Sequence, residues 1–533
     1  MKSFAIVEIT SVLTGIKLGI DGISVIFLSF TSLLWLISGI YAYFYMKGQK
    51  KNSSFFIFYV IAAIGNIGLI LAQDIVSFYL FFALMTFAAY PLVIYDKTPE
   101  ARYAGKIYIV MAIIGEVMLI SAAMLIAAVA VSTAFSDVAD AIAISPNQNI
   151  ILGLVIAGFG IKAGAIFLHM WLPLAHPVAP TPASAVLSGV MIKAGLLGWI
   201  RFLPVGEIGL PEWGSLFIAA GIVAIFYGVF AGFAQDNPKT VLAYSSISQM
   251  GIMTSCIGVG LSAPDLWQMT VSAILIYAVH HALTKAALFL GVGIAERAGL
   301  SNRKIVAYCL LLPSLSLAGA PFTSGYAAKV ITKALSAIYY GNLHATLELM
   351  LPLASVSTTV LMMRFLFLIT IKEKTGKGSE SLIGLSVSWL ALLICSAVVW
   401  LLPFGGFMEH PDEIYSAKDI FSSLLSIFAG AIFFLTVFRL YKNRRWIKIP
   451  SGDILLPIAA FLMWIKTCWI KYMSEPLPFN KWKNPLSLKS LSLFRKTVSP
   501  DSVKHIAHNL SDLSAAGIVF VLLVIILYVI LAL

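Results

Sequence analysis

Charge is what this sequence has least of. Only 11% of its 533 residues are Asp, Glu, Lys or Arg, where a soluble domain carries roughly 25%. Cysteine is nearly absent. Cys256, Cys309, Cys395 and Cys468 each stand alone inside an apolar run. With no CxxC pair and no clustered His and Cys, neither an iron–sulfur cluster nor a structural zinc site is indicated, and no cofactor is expected. The chain also lacks HExxH, GxSxG, a P-loop and any pair of aspartates within an apolar run, which argues against an intramembrane enzyme or a nucleotide-driven machine. The first 20 residues lack the charged start, apolar centre and small-residue end of a cleavable leader, so none is expected.

What the chain has in abundance is apolar surface. Hydrophobic residues make up 60% of it, and the mean hydropathy is +0.94. Runs of about 20 apolar residues recur, the length that crosses a hydrocarbon core. Lipid leaves no backbone group without a partner, so these runs are helices. The fold class is therefore an all-α polytopic membrane protein. The net charge of +12 would suit a nucleic-acid partner, but the basic residues fall in short connections such as Lys47, Lys50 and Lys51, or Arg303 and Lys304. That is the positive-inside pattern and needs no nucleic acid.

Hydropathy places spans at 22–46, 54–73, 76–95, 107–132, 150–171, 183–201, 213–235, 240–260 and 267–292. An interrupted segment follows at 305–340, then 345–372, 382–403, 418–440 and 513–533, about fourteen crossings in all. Alternate connections carry Lys or Arg (47–53, 96–106, 236–239, 293–304, 373–381 and 441–449), whereas 133–149 and 404–417 carry only acidic charges. The alternation holds when 305–340 is one broken crossing, and it puts the N-terminus outside and the basic loops in the cytoplasm. Residues 450–512 pair an apolar piece, Ile454–Ile470, with a basic tract from Lys471 to Lys504. A segment lying along the cytoplasmic face accounts for both, with a fifteenth span as the alternative.

Two segments are interrupted alike: Gly158–Gly164 around Lys162, and Gly319-Ala-Pro-Phe322 followed by Gly325 and Lys329. Broken helices at matching positions in two halves mark the ion site of an inverted-repeat transporter. The expected organisation is an N-terminal segment and first span (1–53), one five-helix repeat (54–201), an inverted second repeat (213–372), additional spans (382–440), the lateral segment (450–512) and a final span (513–533).

Ionisable residues inside the spans are few: Glu116, Lys162, His169, Lys193, His280, His281, Lys285, Lys329, Lys333 and Arg364. A lysine near mid-membrane costs several kcal/mol, so it faces a wet cavity or an opposite charge. Lysines with histidines between them form a plausible proton wire. Plainer readings stand beside this one. Lys193 and Lys333 could snorkel to a helix end, His169 could be interfacial, and Arg364 could hold helices together. Lys162, between glycines in mid-run, is hardest to explain as structure.

Four segments carry a specific resemblance. They are Gly160-Ile-Lys162-Ala-Gly-Ala-Ile-Phe-Leu-His169-Met-Trp171-Leu-Pro173-Leu-Ala-His176-Pro-Val-Ala-Pro180-Thr-Pro-Ala-Ser184-Ala, then Lys239-Thr-Val-Leu-Ala-Tyr244-Ser-Ser-Ile-Ser-Gln249-Met-Gly251, then His280-His281-Ala-Leu-Thr-Lys285, and Gly325-Tyr-Ala-Ala-Lys329. Together they resemble the antiporter-like subunits of respiratory complex I, Mrp cation/proton antiporters and group 4 membrane-bound hydrogenases. The resemblance implies a fourteen-helix core with two inverted five-helix repeats, and a lateral helix before the final span. It implies that Lys162, Lys193, Lys285 and Lys329, with His281, carry protons; His280, His169 and Lys239, in the same segments, and Glu116 are further candidates for the pathway. It also implies other membrane subunits as partners in a multi-pass cell membrane complex, with sodium as a further candidate ion. One departure stands out. Where the family places a glutamate in a Phe-Trp-Glu-Leu-Met stretch, this chain reads Phe81-Phe82-Ala83-Leu84-Met85. Glu116, one span later, is the candidate replacement. Two alternatives remain: a coupling subunit of a two-component inorganic-carbon uptake system, and a stand-alone secondary transporter.

Overall fold

The computed structural model describes residues 5–9, 15–49, 52–298, 300–371, 382–401, 416–441, 449, 450 and 452. The expected lateral segment at 450–512 and the final span at 513–533 lie outside the described residues, apart from isolated positions at the start of the former.

The chain opens with a two-stranded antiparallel pair that hydropathy did not single out, β1 (Ala5–Ile9) and β2 (Ile16–Ile20), in register Ala5↔Ile20. Helices follow: α1 (Gly22–Tyr45), α2 (Asn52–Leu71), α3 (Ile75–Val93), α4 (Pro99–Ala127), α5 (Val138–Ile144) and α6 (Gln148–Ala163). Next come α7 (Trp171–Val178), α8 (Thr181–Val186), a π-helical turn (Leu187–Met191), α9 (Ile192–Phe202), α10 (Pro211–Phe233), α11 (Pro238–Ser262) and α12 (Trp267–Arg297). The rest are α13 (Leu300–Ala318), α14 (Ser324–Ile338), α15 (His344–Ile371), α16 (Leu382–Val398) and α17 (Ala417–Tyr441). Ten segments among the described residues are long and apolar enough to cross a membrane. Apart from that short strand pair, the described protein is helical, a multi-pass membrane protein of the all-α class.

Side-chain caps set several helix starts. Asp21, Asp74 and Thr98 accept from the backbone N–H of Ser24, Ser77 and Ala101, satisfying orphan donors of the first turn. Asp21 also pairs with Arg201 at the end of α9. Burial alone would raise its carboxyl, but Arg201 and Ser24 outweigh burial and hold it below the usual carboxylate range.

Burial is unevenly distributed, and that locates the site. The apolar cores of the candidate spans Thr181–Phe202 and Pro264–Arg297 are wholly buried, whereas only 17% of the apolar core of Ala417–Val437 is buried. Helix α11 is buried along nearly its whole length. These three central segments carry Lys193, Lys239, His280, His281 and Lys285, so their lysines are walled by protein rather than lipid.

Both interrupted segments are broken by the same backbone device. Helix α6 ends at Gly164 (φ +70°), and the chain turns again at Phe167 (φ +67°). Helix α13 ends at Gly319 (φ +93°), with Phe322 at φ +62°. At each end the glycine N–H and the next alanine N–H bond back into the last helical turn. Gly164 donates to Ile161 and Ala165 to Gly160, while Gly319 donates to Ser316 and Ala320 to Leu315. These are Schellman ends, which require a left-handed residue that glycine supplies without strain.

Candidate functional site

Lys162 sits in the last turn of α6, 5% exposed. Its ammonium donates to Tyr108 Oη at 3.1 Å and lies 5.9 Å from the centre of the Phe82 ring. Tyr108 in turn donates to the Thr86 carbonyl at 2.8 Å, and Trp171 Nε1 donates to the Ile161 carbonyl at 2.7 Å. The result is an aromatic cage around one cation, in which ring faces add attraction to the hydrogen bond. Glu116 of α4 is also buried and faces the Thr86 hydroxyl and Lys162. Glu116, Thr86 and Lys162 line one cavity of about 10 Å³, the least that admits a water molecule. Ala83, on the adjoining face of α3, brings no carboxylate to it.

A second cluster lies where α9, α11 and α12 meet. Lys193 donates to the Ser188 carbonyl at 2.8 Å and contacts His281 Nδ1. Ser188 belongs to the π-helical turn, whose extra residue frees carbonyls from the regular ladder. Its hydroxyl meets that of Ser246 at 2.8 Å, and Ser246 donates to the Leu242 carbonyl, which also receives Lys285 Nζ at 2.9 Å. Lys193, His281, Ser188, Ser246 and Lys285 thus form one polar cluster in a wholly buried interior. His281 and Lys285 are four residues apart, which places them on the same face of α12.

His280, on the other side of α12, bonds Ser324 Oγ at 2.9 Å in the first turn of α14. The second break lies there. Lys329 of α14 donates to the Ala318 carbonyl at 2.9 Å, one of the carbonyls released where α13 ends, and it lines a cavity of about 50 Å³ with Lys333, Asp419 and Ser423. Lys239, at the start of α11, donates to the Ala179 carbonyl at 3.0 Å. His169 is fully buried, its ring 5.4 Å from that of Tyr227. Arg364 joins α15 to Asp236 and the Gln235 carbonyl, in keeping with its plainer reading. Lys333 does not simply snorkel. It forms an ion pair with Asp419 at 2.9 Å.

Reading the sequence missed several members. Tyr108, Thr86, Ser188 and Ser246 are ordinary types in apolar runs, and only their partners make them conspicuous. His176 stood in a quoted motif without a role. It is fully buried, its ring is stacked 4.7 Å from Phe289, neither ring nitrogen has a hydrogen-bond partner among the described residues, and Lys285 and Lys239 are its charged neighbours.

The family described as "NADH:quinone oxidoreductase/Mrp antiporter, TM" matches residues 72–347, just over half of the chain. The chain belongs to this family. Within the matched region lie Lys162, Lys193, Lys285, Lys329 and both histidines of α12. Helices α16 and α17, with Asp419, lie beyond it. Hydrogenase-4 component B of Escherichia coli (strain K12) is 32% identical over 291 residues, which cover 52% of this chain and 43% of that protein. The chain therefore spans less than half the length of that relative. A solved structure of the Mrp complex from Dietzia sp. DQ12-45-1b superposes with a TM-score of 0.73 at 19% identity, covering 92% of this chain and 60% of that one. At that identity the likeness is one of fold, and it extends well past the family-matched region.

Proposed function

We propose that this antiporter-family chain moves protons along its buried lysines and histidines, as one membrane subunit of a larger assembly. The observation that carries this reading is the contact of Lys193 with His281, one helical turn from Lys285, in a fully buried core. An ammonium facing an imidazole nitrogen can hand over a proton and leave a neutral amine with an imidazolium, so no unpaired charge has to cross lipid. Lys162 and Glu116 form the first loading site, with Glu116 in place of the carboxylate that Ala83 lacks. Moving that carboxylate relative to the ammonium changes how tightly Lys162 holds its proton. His280 and Ser324 lead from the central cluster to Lys329, and Lys239 and His176 approach Lys285 from the basic-loop side.

In this reading 54–201 and 213–372 are inverted repeats within about fourteen crossings, supported by their identical Schellman ends. The basic loops face the cytoplasm of a cell membrane. Driving energy comes from partner subunits or from an exchanged cation such as sodium. The assembly-bearing names of the relatives, a hydrogenase component and an Mrp complex, support a multisubunit setting.

Purification of the tagged full chain in mild detergent, with partners identified by mass spectrometry, tests the setting. Proton flux into inverted membrane vesicles, with and without sodium, tests the cargo. Lys193→Ala should reduce flux to background while the assembly still co-purifies. Unchanged flux in that variant, or a chain that purifies alone and transports, would overturn the proposal.

A further inference from the structure

The cavity beside Lys329 has a charged rim that belongs to none of the motifs and reaches beyond the family-matched region. Lys333, one turn after Lys329 on α14, pairs at 2.9 Å with Asp419 in the first turn of α17. Both are partly exposed, with 36% and 23% of their side chains accessible, so the pair stands between the buried lysine and the surroundings. Ser416 Oγ donates to Asp419 Oδ2 at 2.6 Å and accepts from the Asp419 N–H, fixing the carboxylate. Ser423, one turn further along α17, donates to the Gly319 carbonyl at the break itself. The cavity bordered by this arrangement measures about 50 Å³, more than the roughly 10–15 Å³ that admits a water molecule.

We propose that Asp419 is the terminal proton acceptor of this chain and that Lys333 is the counter-charge that keeps its carboxylate ionised and aimed into the Lys329 cavity. The proposal rests on the proton-translocation reading above. In the step, the Lys329 ammonium loses a proton to cavity water, which passes one to an Asp419 oxygen. Lys329 becomes a neutral amine still held at the Ala318 carbonyl, and Asp419 becomes a neutral acid that releases the proton outward. The Lys333 ammonium then re-forms the ion pair, which resets the carboxylate. A lone lysine opening to water would release its proton in either direction. A fixed carboxylate at the rim gives the departing proton a defined place, and Ser423 ties the position of α17 to the break.

The test uses the full chain in its native assembly, in inverted vesicles, with Lys162→Ala as the control for translocation itself. Asp419→Asn should cut proton flux about tenfold, and Asp419→Glu should restore it to within about twofold. The neutral double variant Lys333→Gln with Asp419→Asn separates relay from scaffold, since it removes both charges and leaves none unpaired. If Asp419 carries the proton, the double variant stays as slow as Asp419→Asn. Recovery of flux in the double variant, or full flux in Asp419→Asn while Lys162→Ala is silent, reduces the pair to a structural tie and overturns the inference. If Lys162→Ala itself transports normally, the parent reading fails instead.

Discussion

The two broken helices share a backbone solution and differ in everything built on it. At the first, Lys162 precedes the break and is caged by Phe82, Tyr108 and Trp171 around a cavity of about 10 Å³. At the second, Lys329 follows the break, donates to a carbonyl that the break exposes, and faces about 50 Å³ bordered by an ion pair. The same Schellman end thus serves two opposite needs. The tight cage suits a site that holds a cation and responds to a nearby carboxylate. In the proposed proton-transfer reading, the roomier one suits exchange with water, because released protons need somewhere to go. Broken helices of this kind are tolerated at membrane depth only against protein or a wet cavity, and here one break has each kind of surrounding.

The largest test of this contrast is to remove each lysine in turn. Lys162→Ala and Lys329→Ala should each lower proton flux by roughly 10²-fold, the low end of what a positioned proton-transfer group contributes. Proton exchange between bulk water and the protein interior, followed by isotope or pH-jump methods in vesicles, should separate them. Loss of Lys329 should slow exchange with the outer water, whereas loss of Lys162 should leave that exchange intact and stop net transfer. Identical defects in both measurements would erase the distinction.

A smaller effect is expected at the carboxylate. Glu116→Gln keeps the shape of the first cavity and removes the charge facing Lys162, and flux should fall about tenfold, corresponding to about 1.4 kcal/mol. Restoring the family pattern with Ala83→Glu in that background should recover part of it, because position 83 lies one turn before Thr86 on the same helix face. No recovery, with flux unaffected by Glu116→Gln alone, would mean Lys162 works without a carboxylate.

Tyr108→Phe comes next. It takes from Lys162 its hydroxyl acceptor and leaves the Thr86 carbonyl without its 2.8 Å donor. The Thr86 carbonyl keeps its bond within α3, but the buried Lys162 ammonium loses its Tyr108 partner. An unpaired buried polar group costs about 1–3 kcal/mol, so thermal stability should fall and flux should drop several-fold. The second break has no counterpart to this experiment, since Lys329 is held by a main-chain carbonyl. If Tyr108→Phe is as stable and as active as the parent chain, the cage is packing alone.

How much of this was legible beforehand follows from the physics of each feature. Many of the spans among the described residues were, because about 20 apolar residues in lipid have one solution, and α1, α2, α3, α10, α12 and α15 follow the hydropathy runs to within a few residues. The breaks were, because glycine beside lysine in an apolar run has no ordinary explanation. Helix α11 shows the limit. The run at 240–260 places the helix, but nothing in that run specifies that it is buried along nearly its whole length, with Ser246 meeting Ser188 and Gln249 accepting from Tyr277 of neighbouring helices. The pairing of Lys333 with Asp419 joins residues 86 apart in sequence, and no local pattern specifies a contact of that range. The π-helical turn at Leu187–Met191 was equally invisible, since no residue preference marks it.

The smallest expected effect, and the most discriminating, is on the break glycines. Both adopt positive φ, so alanine at either should cost about 1–2 kcal/mol of stability from backbone strain alone, read as similar falls in melting temperature. Their surroundings differ. A Cβ on Gly164 would lie 3.0 Å from Leu172 Cδ1, an apolar neighbour with no role in transfer, whereas a Cβ on Gly319 would lie 2.8 Å from Lys329 Cδ. The lysine stem is flexible and can move aside, but only by shifting its ammonium away from the Ala318 carbonyl. Gly164→Ala should therefore lose stability with flux nearly unchanged at low temperature, and Gly319→Ala should lose a similar amount of stability together with several-fold of flux. Equal flux in the two variants would show that Lys329 does not depend on the carbonyl freed by the break, and that the second break supplies room rather than a bonding partner.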